Sequence, residues 1–162
     1  MILPFPPNSA VVFTVTPETL APSTYWAIAW DGGYLGVQTD GTGPDGQPRD
    51  QVIFSEWGSS IVAGNGCVPV YEYSPANRCT LPVSVSPGQT FSFYLFNLDG
   101  YEDVVMSPDG GNTVTLLGVL TVPGPVVPTG WFIEDFGHPG TASTATGAFV
   151  AGSFWNSNEM PI

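Results

Sequence analysis

Glycine and proline interrupt this chain too often for a helix to survive in it: 20 Gly and 17 Pro fall among 162 residues. Inside a helix each Gly costs about 1 kcal/mol and each Pro about 3 kcal/mol relative to Ala. No stretch free of them carries a 3.6-residue apolar period. Between the interruptions lie short runs of aromatic and β-branched residues, which suit a half-buried pleated surface. The expected strands are residues 10–15, 25–30, 34–39, 51–57, 90–98, 101–106, 112–122, 131–136 and 148–155. Asp31-Gly32-Gly33 marks a tight turn between the second and third. Ser86-Pro87-Gly88-Gln89 and Ser107-Pro108-Asp109-Gly110-Gly111 mark two more turns, residues 40–50 a polar loop, and residues 58–80 a long excursion. Phe91-Ser92-Phe93 alternates as a strand with one face in a core does. The class is all-β, a two-sheet antiparallel β-sandwich or jelly roll. There is no internal repeat, so one domain is expected over 1–162, with residues 1–9 as a Pro-rich N-terminal arm.

The charge excludes several partners. Fourteen Asp and Glu face two basic residues, Arg49 and Arg78, for a formal net charge of −12. Nothing here neutralises phosphates, so nucleic acid is excluded, and anionic membrane surfaces with it. Hydrophobic residues make up 43% of the chain, as in a folded protein. In acid the carboxylates protonate and self-repulsion falls, while the near absence of bases prevents a large positive charge. That balance suits an acidic extracellular setting, and a secreted monomer is expected. Met1-Ile2-Leu3-Pro4-Phe5-Pro6-Pro7 lacks the features of a secretory signal, so Met1 is read as a start placed on a mature or trimmed chain. No apolar run is long enough for a transmembrane helix.

Cys67 and Cys79 flank a segment rich in Pro, Asn and Tyr. Composition favours a disulfide between them over two free thiols, closing a loop worth roughly 3 kcal/mol in the chain-entropy picture. No metal site is expected, since His138 is the one histidine and no Cys/His cluster exists. Asp31, Asp40, Asp45 and Asp50 lack the spacing of a calcium loop and read as solvated loop acids. His138-Pro139-Gly140 is a poor setting for the base of a Ser-His-Asp triad. No cofactor is called for.

Trp131-Phe132-Ile133-Glu134-Asp135-Phe136 combines strand composition with a central carboxylate. Alternation puts Phe132, Glu134 and Phe136 on one face. A carboxylate between aromatic rings loses hydration, one way to tune it for acid–base work. The other reading is an ordinary solvent-facing Glu. Gln38 and Glu56 also lie within strands beside aromatic residues. A carboxylate and an amide suffice to hydrolyse an acyl bond: the carboxylate takes a proton from water, and the amide NH2 donates to the oxyanion that forms.

In these strands the chain resembles the glutamic endopeptidases of fungi, the eqolisins. Tyr25-Trp26-Ala27-Ile28 with Asp31-Gly32 is similar to that family's tryptophan strand. Val37-Gln38-Thr39 resembles the segment carrying its catalytic glutamine, and Phe54-Ser55-Glu56-Trp57 its Tyr-Glu-Trp strand. Trp131 to Phe136 resembles the strand carrying its catalytic glutamate, Ala148 to Asn156 its closing strand, and Ser84 to Gln89 one of its turns. The likeness spans roughly residues 25–157. It implies a concanavalin-like sandwich acting on polypeptides in acid, with Gln38 and Glu134 as the dyad on neighbouring concave strands. Glu56, Trp57, Trp26, Phe132 and Phe136 would bind substrate or hold the dyad in place. The family's Tyr-Pro after the Glu-Trp is absent here, where Gly58-Ser59 follows, and residues 1–24 are shorter than its N-terminal strands.

The segments Gly33-Tyr34-Leu35-Gly36-Val37-Gln38 and Phe54-Ser55-Glu56-Trp57 resemble secreted bacterial lectin-like jelly rolls of unsettled activity equally well. That resemblance implies a glycan-binding or structural module without catalysis. Trp26, Trp30, Trp57, Trp131 and Trp155 then become a sugar-stacking platform, where the bland alternative is core packing.

Overall fold

Alternation along the strands sorts the apolar residues into two sets, and one set closes the molecule. The computed structural model describes residues 9–98, 101–109, 112–121, 128–135, 145–151 and 155–156. Its strands are β1 (Ser9–Thr19), β2 (Thr24–Trp30), β3 (Gly33–Thr42), β4 (Pro48–Trp57), β5 (Ile61–Ala63), β6 (Cys67–Glu72), β7 (Ser74–Pro82), β8 (Phe91–Leu98), β9 (Tyr101–Ser107), β10 (Thr115–Thr121), β11 (Pro128–Asp135), β12 (Thr146–Ala151) and β13 (Trp155–Asn156). The described strands form two antiparallel sheets. The first runs β12-β1-β8-β9-β10-β5, with β13 also on β1, and the second runs β11-β2-β3-β4-β7-β6. Trp26, Ile28 and Trp30 of β2, Leu35 and Val37 of β3, and Val52 and Phe54 of β4 are buried in one cluster with Phe13, Val15, Phe91, Phe93, Leu95, Val104 and Met106 of the first sheet. Each such side chain contributes about 1.5–3 kcal/mol on burial. The protein is therefore a β-sandwich, as the Gly/Pro punctuation implies.

Two segments depart from the sequence reading. Residues 58–80 are not an excursion but contain β5, β6 and most of β7. Pro69, Pro75 and Asn77 disguise a hairpin there whose turn places Tyr73 at a left-handed φ of 61°. Pro69 fits because β6 is an edge strand. The polar loop over residues 40–50 shrinks to residues 43–47, closed by Gly43 N donating to Gln47 O and Gly46 N to Gly43 O. Of the closing strand expected over 148–155, the described residues give β12 and β13, both paired with β1. The Asp31-Gly32 turn and the Ser86–Gln89 turn form where their residues predict them. Residues 1–8 of the expected arm, Phe136 and His138 lie outside the described residues, while Ser9 opens β1.

Cys67 and Cys79 are bonded, and they are also register partners across the β6–β7 hairpin. Gly64 and Gly118 leave room for the two sulfurs, since a side chain at either would overlap them. The bridge ties an edge strand to β7, which a purely loop-closing view of its spacing does not reveal.

The interior also holds charge-bearing groups. Glu56 of β4 shares the Phe54 face, and that face is the core; Glu102 of β9 reaches it from the opposite sheet. They are 1% and 0% exposed. Trp30 Nε1 donates to Glu56 Oε2 at 2.8 Å, and the two carboxyls hydrogen-bond to each other. Among the described residues, no other donor group meets the Glu102 oxygens. Burial pushes Glu56 up to about 7. Burial, and then the Glu56 charge, push Glu102 up to about 9. With both carboxyls pushed up by burial, the pair retains a shared proton near neutrality.

A carboxyl whose folded-state pKa is raised stabilises the fold fully below its unfolded value of about 4.5 and ceases to do so as pH climbs through the folded value. The melting temperature is therefore expected to fall steadily between pH 5 and 9. Glu102→Gln, which keeps a donor to Glu56 and cannot ionise, should flatten that fall. A wild-type melting temperature that is level or rising across this range would contradict the shared proton.

Candidate functional site

The other set of side chains on the second sheet faces away from the core and lines a cleft. Tyr25, Ala27 and Ala29 of β2 alternate with the buried Trp26, Ile28 and Trp30. Tyr34 and Gln38 of β3, Gln51, Ile53 and Trp57 of β4, Arg78 of β7, Glu72 of β6, and Phe132 and Glu134 of β11 fall on the same side by the same alternation. The cleft has a volume of about 540 Å³, and its walls include Tyr25, Tyr34, Gln38, Trp57, Phe132 and Glu134.

Strand register sets a row across this face. Glu134 pairs with Tyr25, Tyr25 with Gln38, and Gln38 with Gln51. Gln38 and Glu134 thus share one face, but not neighbouring strands: β2 lies between β11 and β3. With strands about 4.8 Å apart, their backbones stand about 10 Å from each other. Tyr25 fills the gap. Its ring meets Phe132 edge-on at 5.8 Å and Tyr34 at 5.6 Å, and its hydroxyl donates to Ile53 O at 3.5 Å. Burial, followed by the neighbouring Tyr34, holds the Tyr25 hydroxyl well above the ordinary phenol range. It is a neutral floor between the two polar groups.

Gln38 is 9% exposed. Its Oε1 accepts from Gln51 Nε2 at 2.8 Å. No described residue accepts from its own Nε2, and the side chain borders the cleft. Glu134 differs from the expected desolvated carboxylate: it is exposed. The reason is its strand, because β11 is the outer edge of its sheet and water reaches the carboxylate from the open side. Phe132 is half-buried beside it.

Two expected binding residues are elsewhere. Trp26 is fully buried between the sheets, its Nε1 donating to Thr146 O at 3.1 Å. Glu56 is the buried partner of Glu102 and Trp30, beneath the sheet rather than above it. In both cases alternation separates the residue from the cleft: Tyr25 and Trp57, one position away, face it instead.

At the far end of the cleft, Tyr34 and Trp57 belong to motifs already singled out, while Glu72, Tyr73 and Arg78 belong to none. Arg78 forms an ion pair with Glu72 and donates to the Tyr34 hydroxyl at 2.7 Å; that hydroxyl donates to Glu72 Oε2 at 2.6 Å. Trp57 stands edge-on to Tyr34 at 5.8 Å and donates its Nε1 to Glu72 O at 3.0 Å. Tyr73, 99% exposed at the hairpin turn, completes this wall. The one usable signal was that Arg78 is one of two cations in the chain. Of the loop acids, Asp45 pairs with Arg49 and Asp50 accepts from Asp40 N at 3.1 Å. No group of three or more His, Cys, Asp or Glu converges among the described residues.

No family model matches this chain, and no curated protein matches it either. A solved structure described as a functionally unknown protein from Saccharomyces cerevisiae aligns with a TM-score of 0.44 and 13% identity. The alignment covers 80% of this chain and 71% of that one. A likeness at that level carries no argument about either fold or activity.

The two faces predict different responses to truncation. Trp26→Ala should lower stability by about 3–5 kcal/mol, the usual cost of emptying an aromatic core site. Trp57→Ala, on the half-buried cleft wall, should cost clearly less while altering whatever the cleft binds. Urea unfolding of the two variants checks the order; a costlier Trp57→Ala would reverse the assignment of faces.

Proposed function

We propose that this protein is an acid-active endopeptidase in which Glu134 is the general base and Gln38 the oxyanion donor. The observation that supports this reading is the register row Glu134–Tyr25–Gln38, which sets a carboxylate and an amide on either side of an inert aromatic floor. A polypeptide lying over Tyr25 brings its scissile carbonyl between them. Glu134 takes a proton from a water as that water's oxygen bonds to the carbonyl carbon. The carbonyl oxygen becomes an oxyanion and accepts from the Gln38 NH2. When the C–N bond breaks, Glu134 returns the proton to the leaving amine, and the carboxylate is restored. Trp57, Tyr34 and Phe132 flank the path and supply contacts for substrate side chains. The Cys67–Cys79 bridge fits an oxidising compartment, and with the acidic composition it supports a secreted monomer.

A second reading rests on the opposite end of the cleft. Trp57, Tyr34 and the fully exposed Tyr73 beside the Glu72–Arg78 pair make a surface on which a sugar ring stacks and hydrogen-bonds. Under that reading the protein is a lectin-like module.

Cleavage of a denatured protein between roughly pH 2 and 5, a range set around the reference Glu pKa of about 4.3, separates the two. Glu134→Gln should abolish turnover, and Gln38→Ala should lower it by about 100- to 1,000-fold, the usual cost of an oxyanion donor. Activity should also fade towards neutral pH, as the Glu56–Glu102 pair loses its proton and the sandwich weakens. Wild-type protein that cleaves nothing, but binds a glycan array in a manner lost with Trp57→Ala, decides for the lectin-like reading.

A further inference from the structure

Gln38 offers a donor to the cleft only if its carboxamide is turned the right way round. An amide has an oxygen at one end and an NH2 at the other, and the two are nearly the same shape. A glutamine free to rotate presents either. We infer that Gln51 is a positioning residue that fixes this choice. The inference rests on the reading of Gln38 as the oxyanion donor.

The choice is set first at a backbone carbonyl. Gln51 is 1% exposed, directly beside Gln38 in register. Its Nε2 donates to Thr42 O at 3.3 Å. A main-chain carbonyl can only accept, so this contact settles which end of the Gln51 amide faces β3. The same Nε2 donates to Gln38 Oε1 at 2.8 Å. With its oxygen engaged there, Gln38 has its NH2 left for the cleft. The orientation passes from a group that cannot flip, through one buried amide, to the amide that meets substrate.

The local backbone is shaped for this relay. The β3–β4 register slips between Gln38 and Gly41, and Asp40 takes a left-handed φ of 52° there. The bulge swings the chain so that the Thr42 carbonyl comes within reach of Gln51. Gly41 then passes so close to the paired amides that a Cβ would overlap Gln38 Oε1 and Gln51 Nε2. The pocket around the two carboxamides is therefore closed on the Gly41 side, and the pair has little room to rearrange.

The test reverses the polarity of the relay. In Gln51→Glu the new carboxyl, while protonated, donates its O–H and leaves the Gln38 NH2 free. Once ionised it only accepts, and it draws the Gln38 NH2 away from the cleft. Burial sets that ionisation above the ordinary Glu value of about 4.3. The expected result is kcat near wild type in the most acidic buffers. As pH rises through the new ionisation, kcat should fall towards the roughly 100-fold deficit of a missing donor, with KM little changed. Gln51→Met, which removes the relay without reversing it, should cost only a few-fold at every pH. Gly41→Ala should displace the pair and lower kcat without touching either glutamine, which covers the case of a Gln51→Glu chain that does not fold.

A second readout needs no activity. Transfer of magnetisation from water to the Gln38 side-chain NH2, followed by NMR, should be efficient in wild type and suppressed in Gln51→Glu above the new ionisation. A wild type that cleaves, with a Gln51→Glu pH profile parallel to its own, overturns the role of Gln51 and leaves the peptidase reading standing. A wild type inert towards polypeptides overturns that reading, and the exchange measurement then decides alone. Exchange at Gln38 that is identical in both proteins at every pH overturns the inference.

Discussion

The two sheets close over a pair of buried glutamates that burial pushes towards keeping a proton between them. Glu56 and Glu102 face each other inside the sandwich with Trp30 Nε1 as their supporting donor. Two ionised carboxylates in that space would be intolerable. Most proteins answer a buried acid with Arg or Lys, but this chain has two basic residues, and both are committed on the outer side, Arg49 to Asp45 and Arg78 to Glu72. Protonation is the remaining way to close the interior. The scarcity of bases and the buried acid pair are thus one fact seen at two levels: a chain with two basic residues leaves its interior acids to protonation rather than to counter-ions.

The sandwich itself was legible because Gly and Pro forbid helices and because alternation is a local property. Which face of a strand becomes core was not legible, for a physical reason. In β2 and β4 both sets of alternating residues are large or apolar, so Trp26 and Tyr25 compete as interior residues, as do Phe54-Glu56 and Ile53-Trp57. Only the opposing sheet decides between them, and that is a long-range contact. The β6–β7 hairpin was hidden differently. Its prolines read as loop, and their tolerance depends on being next to an edge, which local sequence does not record.

For the candidate site, the sequence singled out Gln38 and Glu134 and also Trp57 and Phe132, and all four border the cleft. It missed Tyr25, Gln51 and the Tyr34–Glu72–Arg78 group, each of which matters through register or hydrogen bonding rather than type. Tyr25 shows this most clearly. Nothing about a tyrosine next to a tryptophan marks it as the floor between two polar groups. That status follows from β2 being interposed between β11 and β3, an arrangement in which a strand from near the end of the chain pairs with one near the beginning.

Pro69 has a consequence for how copies of this chain behave together. In β6 the Cys67 N–H turns away from β7 to Gly64 O at 3.4 Å, so by the two-residue repeat the nitrogen of residue 69 also points to the open side. There it carries no hydrogen. An incoming strand would find a gap in the row of donors it needs, and edge-to-edge strand addition is disfavoured at that rim. The net charge of −12 keeps molecules apart near neutrality, but that repulsion fades in acid as carboxylates protonate. Under those conditions the missing N–H persists at the β6 rim, a local safeguard indifferent to pH.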